Sequence, residues 1–126
     1  MRVTSETELQ QQIRLEAARR GTPLWRNNNG ACFDDKGRMI RYGLGNDSKR
    51  LNAMWKSSDL IGIYPVTIQP HHVGMTFGLF YAAEVKHPGW HLTPGDKRAH
   101  AQAAFGKTVT DHGGVFRFVA QIGDLP

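Results

Sequence analysis

Glu84 and Lys86 stand two positions apart in TFGLFYAAEVK, residues 76–86, the most apolar run of the chain. Strand side chains alternate faces, so both charges point to the same side. An acid and an amine sharing a face are either a solvated ion pair, which adds little, or part of a site. Asp59 opens a second apolar run, SDLIGIYPVTI at 58–68. An antiparallel hairpin of the two runs joins their outer ends and brings Asp59 near Glu84. Two carboxylates converging on one spot repel unless a cation lies between them. Oxygen donors of this kind suit Mg²⁺ or Mn²⁺. Such an ion makes bound water easier to deprotonate and offsets charge on a phosphate. Lys86 would orient that water or neutralise developing charge. The plainer alternative is that Asp59 is a turn residue at a strand start. Unpaired charges are costly in so apolar a run, which weighs for the site.

The elements that position these residues follow from the rest of the sequence. Residues 5–20 read as a helix, opened by a Ser5–Glu8 capping box and closed at Gly21, with Arg19 and Arg20 complementing its dipole. Leu9, Ile13 and Ala17 mark its inner face. At about 100° per residue, Glu6 falls on that arc and Glu8 nearly opposite. Glu6 is then either an inward acid belonging to the site or a first-turn acid favoured by the dipole. TPLWR (22–26) is extended and NNNG (27–30) reads as a turn. ACFDDKGRMIRYG reads as a hairpin turning near Asp35–Gly37. Residues 43–57 read as a loop with one helical turn around Leu51–Trp55.

Pro65 marks an irregularity in the 58–68 strand. A second helix starts from a Thr93 cap, with Pro94 at its first position and Asp96 in its first turn, and runs to about Asp111 before Gly113–Gly114. Gln102 shares a face with Phe105, Gly106 and Val109. It is either the exposed end of a core stripe or an amide that bonds to a site on the sheet. VFRFVAQ (115–121) is the last strand. The order predicts one small α/β (α+β) domain over residues 1–126.

Composition narrows the partners. A net charge of +5 on 126 residues suits a polyanion, nucleic acid before an anionic membrane surface. The basic residues are spread along the chain, which favours a folded basic face. No apolar run approaches the ~18 residues of a membrane span, and the polar start MRVTSETELQ lacks an apolar signal core. An intracellular, cytoplasmic protein is expected. The single Cys32 excludes an intrachain disulfide and a cysteine-cage zinc site. His87 and His91 have ligand-like spacing, but Pro88 and Gly89 oppose the helix it needs. His71 and His72 read as a solvent-facing turn. No phosphate-binding loop of the G-x-x-x-x-G-K-[ST] kind occurs, so no nucleotide cofactor is expected.

The strings SETELQ, WRNNNG, SDLIGI, AEVKHPG, AQAAF and GGVFRFVA occur in this order over nearly the whole chain. Together they resemble the virus-type replication–repair nuclease (VRR-NUC) domains of the PD-(D/E)xK superfamily. The resemblance implies a restriction-endonuclease-like fold, with a central mixed sheet flanked by helices, and a Mg²⁺- or Mn²⁺-dependent endonuclease acting on DNA phosphodiesters. It implies Asp59, Glu84 and Val85 as metal ligands, Lys86 as the residue that positions or activates water, Glu6 as the helix acid and Gln102 as a supporting glutamine. Ser58 departs from a pattern that often has Pro, at a position that shapes the turn and supplies no chemistry. Some small members resemble junction resolvases, which implies a homodimer on branched DNA. Arg26, Asn27 and Asn28 are candidate DNA contacts, although WRNNNG reads equally as a tight turn. Lys49, Arg50, Lys56, Lys97, Arg98 and Lys107 are candidate phosphate contacts or solvated surface charges. A non-catalytic DNA-binding module and an RNA nuclease of the same fold are the competing readings.

Overall fold

The computed structural model of the chain describes residues 5–126. It is a small mixed α+β structure with three α-helices and short two-stranded sheets. The described residues gather into two compact units, one ending at Gly62 and one spanning Ile63–Pro126.

The first unit opens with α1 (Glu6–Arg19), whose first turn is capped by Ser5 Oγ accepting from the Glu8 N–H at 3.1 Å. Gly21 takes a positive φ after its end, as expected of a helix stop. β1 (Leu24–Arg26) follows, then the hairpin of β2 (Gly30–Phe33) and β3 (Met39–Tyr42). Asp34 closes the hairpin turn by accepting from the N–H groups of Lys36 and Arg38 and from Arg38 Nε. The expected single helical turn is α2 (Lys49–Met54), and it begins earlier because Ser48 caps it through the Leu51 N–H.

β4 (Leu60–Gly62) completes this unit by pairing antiparallel with β1. It is three residues long, where the sequence predicted a strand over 58–68. It ends at Gly62 opposite Leu24, and the next residue of the partner strand is Pro23, which has no N–H to give a ladder. Gly62 is needed for the pairing, since a Cβ there would fall 1.9 Å from the Pro23 carbonyl oxygen.

In the second unit, a 3₁₀ turn at Pro70–His72 precedes β5 (Tyr81–Val85), α3 (Lys97–Asp111) and β6 (Val115–Val119). β5 and β6 pair in parallel, from Tyr81 opposite Val115 to Val85 opposite Val119. A parallel pair requires a crossover, and α3 supplies it. The strand expected over 76–86 is confined to these five residues because β6 offers a ladder of only that length. The predicted hairpin between 58–68 and 76–86 is therefore replaced: β4 bonds to β1, and β5 bonds to β6.

α3 is capped by Asp96, whose Oδ1 accepts from the Ala99 N–H at 3.0 Å, and not by Thr93. The Asp96 N–H donates to the Thr93 carbonyl and closes a separate turn, so the helix starts three residues later than expected. Ala99, Gly106 and Val109 form its buried side. Among the described residues no helix is long and apolar enough to cross a membrane.

Candidate active site

Three of the sequence-predicted residues meet in the second unit. β5 alternates exposed and half-buried positions, and Ala82, Glu84 and Lys86 share the half-buried side. Lys86 Nζ donates to Gln102 Oε1 at 2.7 Å, and Gln102 Nε2 donates to Glu84 Oε1 at 2.8 Å. The amide of Gln102 thus stands between acid and amine and engages each with the end it requires. The result is a directed run from Lys86 through Gln102 to Glu84. The alternative of a solvated ion pair does not hold, since Glu84 and Lys86 are joined through α3. Glu84, Gln102 and Arg98 also line a cavity of about 510 Å³ whose floor includes Phe105 and Phe116.

Lys86 is held from above by aromatic rings. Its Nζ lies 5.1 Å from the centroid of Trp90 and 5.7 Å from that of Phe118. A cation over two ring faces is attracted by their quadrupoles. Trp90 and Phe118 contact each other at 4.7 Å between centroids, so the ammonium has a defined seat. Asp96 lies within the same field. The Ala99 N–H holds its carboxyl below the usual carboxylate range against a smaller opposing effect of desolvation, and Trp90, Lys86 and His100 add to the lowering. Trp90 was not singled out in the sequence, although it lies in HPGWH, the break directly after the strand.

Asp59 belongs to the first unit, one residue before β4. Its carbonyl accepts from the Asn27 N–H at 2.8 Å, so the β1–β4 pairing continues to this point. A polar knot fixes the turn around it. Asn27 Nδ2 donates to Ser57 Oγ and to the Ser58 carbonyl, both at 2.9 Å, while its Oδ1 accepts from the Leu44 N–H. Asn29 Nδ2 donates to the same Ser57 hydroxyl, and that hydroxyl donates to the Leu44 carbonyl. The NNNG string is thus more than a tight turn, because two of its side chains anchor the loop that carries Asp59. Both N–H groups of the Asn27 amide are consumed within the chain, which leaves them no free donor for DNA.

The remaining candidates are scattered. Glu6 is exposed in the first turn of α1, so it does not point into a core. Its neighbours on that arc, Leu9 and Ile13, are themselves 45% and 42% exposed. Arg26 and Asn28 are exposed on the first unit, and Lys97 and Arg98 on the first turn of α3. Lys107 is paired with Asp111 one turn later, so part of its charge is used locally. Lys49 and Arg50 are exposed in α2, and Lys56 donates to Asn52 Oδ1 at 2.8 Å.

Several oxygen donors are of the kind a hard divalent cation takes. Glu84 uses only Oε1 toward Gln102, and Oε2 is without a protein partner among the described residues. The Asp59 carboxylate likewise has none among them. Val85 can offer only its carbonyl. Phe80 and Lys86 bond to β6 through Val115 and Val119, so even positions face β6 and the Val85 carbonyl faces the opposite edge. These are oxygen donors of the type Mg²⁺ and Mn²⁺ take. No three His, Cys, Asp or Glu side chains form a metal cage among the described residues, and Mg²⁺ sites commonly use only one or two carboxylates. In comparisons with known families, curated proteins and solved structures, the chain has no significant match.

Proposed function

We propose that this chain is a divalent-metal-dependent endonuclease that hydrolyses DNA phosphodiester bonds, with a VRR-NUC-type PD-(D/E)xK core and a central mixed sheet. The observation that carries the reading is the hydrogen-bonded run Lys86–Gln102–Glu84. Gln102 is separated from Glu84 by 18 positions and from Lys86 by 16. Composition gives no reason for an amide to bridge that acid and that amine, whereas a site that must hold both in one orientation does.

In this reading Glu84 Oε2 and the Val85 carbonyl would hold Mg²⁺ or Mn²⁺, and Asp59 is the further acid that the family resemblance implies. The bound ion supplies charge compensation on the phosphate and acidifies water. Gln102 keeps Oε2 of Glu84 available by occupying Oε1, and its fixed tilt limits rotation of the carboxylate. Lys86 gives one N–H to Gln102 and keeps two, which are free to orient water or to meet charge developing on a phosphoryl oxygen. Its seat against Trp90 and Phe118 restricts the ammonium to that position. Such supporting contacts tune a site by holding its working atoms in place.

One chain carries one Glu84–Gln102–Lys86 site, and paired cuts across a DNA junction need two. The proposal therefore includes a homodimer acting on branched DNA in the cytoplasm. The deciding experiment is cleavage of labelled four-way, flap and linear DNA, and of matching RNA, with Mg²⁺, with Mn²⁺ and with chelator. Metal-dependent cutting of DNA is expected. Binding without cutting under both metals would identify a non-catalytic DNA-binding module, and preferential cutting of RNA would change the substrate.

A further inference from the structure

The unit ending at Gly62 contains a cavity of about 730 Å³, with Asp59 on its wall beside Arg41, Tyr42, Asn46 and Lys56. That volume lies within the ~300–1,000 Å³ of sites that enclose small ligands. Three of these residues are poorly explained by the fold alone. Arg41 is half-buried in β3, and its Nε is shut from water without a hydrogen-bond partner among the described residues. Arg14, Arg19, Arg20 and Arg38 of the same unit each have an acceptor. Asn46 is 4% exposed. Its Nδ2 donates to the carbonyls of Gly30 and Tyr42, both at 2.8 Å, but its Oδ1 has no partner among the described residues. A buried donor or acceptor left unpaired is costly.

Tyr42 is 48% exposed on a wall whose other residues are mostly polar. The phenol end of its ring lies over Gly30, where a Cβ would come 2.3 Å from the hydroxyl oxygen. The ring can lie across β2 only because residue 30 is glycine. Lys56 gives one N–H to Asn52 and retains two. The cavity therefore combines cations without an ion pair among the described residues, an exposed flat ring and an acceptor unmatched among them.

An anion, a planar ring and a hydrogen-bonding edge occur together in a nucleotide. We infer that this cavity seats one unpaired nucleotide of a nucleic-acid strand, with its phosphate on Arg41 and Lys56 and its base against Tyr42. The inference rests on the nucleic-acid part of the proposed function and narrows its substrate. Stacked bases inside a duplex do not present a face to a protein ring, so the seated base is at a flap, an overhang or a branch, or is extruded. Asp59, on the same wall, puts a candidate metal ligand beside that nucleotide.

The test is binding by the full chain, in chelator so that nothing is cut, to blunt duplexes and to duplexes with a short overhang. The overhang carries 2-aminopurine, a base whose fluorescence is quenched by stacking, in deoxy and ribo versions. The overhang should bind at least about tenfold tighter than the blunt duplex, with quenching. Tyr42→Ala should lose roughly fivefold or more in overhang affinity, together with the quenching, while Tyr42→Phe keeps both. Arg41→Gln should weaken binding and reduce the salt slope by about one. Equal binding of both duplexes without quenching overturns the inference, as does wild-type binding by Tyr42→Ala and Arg41→Gln. If Tyr42→Ala fails to fold by circular dichroism, Arg41→Gln and Lys56→Gln decide in its place. When Mg²⁺ replaces the chelator, overhang-selective binding without cutting supports the seat and defeats the nuclease. Cutting without overhang preference defeats the seat and leaves the nuclease standing.

Discussion

Gln102 donates its side-chain N–H to Glu84 at 2.8 Å, across 18 positions of sequence. The same amide accepts from Lys86, so one side chain sets the orientation of two. Gln102→Leu keeps similar volume and removes both bonds. DNA cleavage should fall by roughly 10–100-fold with the fold intact, the range seen when a supporting contact of a metal site is lost. Gln102→Glu restores an acceptor for Lys86 but sets a carboxylate against Glu84, so it should not rescue activity. Wild-type rates for Gln102→Leu, measured on the preferred DNA, would remove Gln102 from the site.

Asp59→Asn, Glu84→Gln and Lys86→Met should each reduce metal-dependent cleavage by roughly a hundredfold or more, the scale for removing a charged group from a transition-state site. Circular dichroism and thermal melting should stay close to wild type. Glu6→Ala should impair cleavage more than Glu8→Ala, because the family resemblance implies Glu6 as the helix acid. The reverse order would assign the helix acid to Glu8.

Asn27→Ala distinguishes a DNA contact from an internal tie. Its amide makes three bonds within the first unit, and at ~0.5–1.5 kcal/mol each they should contribute about 1–3 kcal/mol. Denaturant unfolding should register that loss, and the salt dependence of DNA binding should not change. A stable variant with a lower salt slope would make Asn27 a phosphate contact instead.

Gly106→Ala should destabilise the second unit. A Cβ there would lie 2.3 Å from Phe116 Cδ1, in the face where α3 packs on β6. Overpacking typically costs about 1–3 kcal/mol. Alanine in a helix recovers at most ~1 kcal/mol, so the melting temperature should fall. A rise would mean that the Phe116 ring yields without cost.

Acid should weaken the fold through Asp34 and Asp96. The Arg38 N–H holds the Asp34 carboxyl below its ordinary value near 3.8, and the Ala99 N–H does the same for Asp96. A lowered folded pKa stabilises the protein above the ordinary value, and this contribution disappears as pH falls through the folded one. Melting temperature should therefore be level above about pH 5 and decline below about pH 4. Asp96→Asn retains a capping oxygen without the titration, so its decline should be shallower. An identical pH profile would show that Asp96 does not contribute.

The sequence by itself carried the local decisions. The Ser5 cap, the turn near Asp35–Gly37, the stop after Asp111 and the shared face of Glu84 and Lys86 depend on neighbours within a few residues, where periodicity and side-chain chemistry act directly. Gln102 was legible as the polar member of an apolar helix face. Its partners were not, because a face does not specify which strand lies beneath it.

Tertiary structure decided the pairings and the endpoints. A run such as 58–68 or 76–86 has the composition of a strand throughout, but only the partner's length and direction determine how much of it forms a ladder. β4 found β1, and β5 found β6. The same long-range choices gave Lys86 its two aromatic neighbours, tied Asn27 to Ser57 and Ser58, and left Arg41 Nε without an acceptor among the described residues. Those contacts are set by packing between segments distant in sequence, where spacing along the chain carries no information about approach in space.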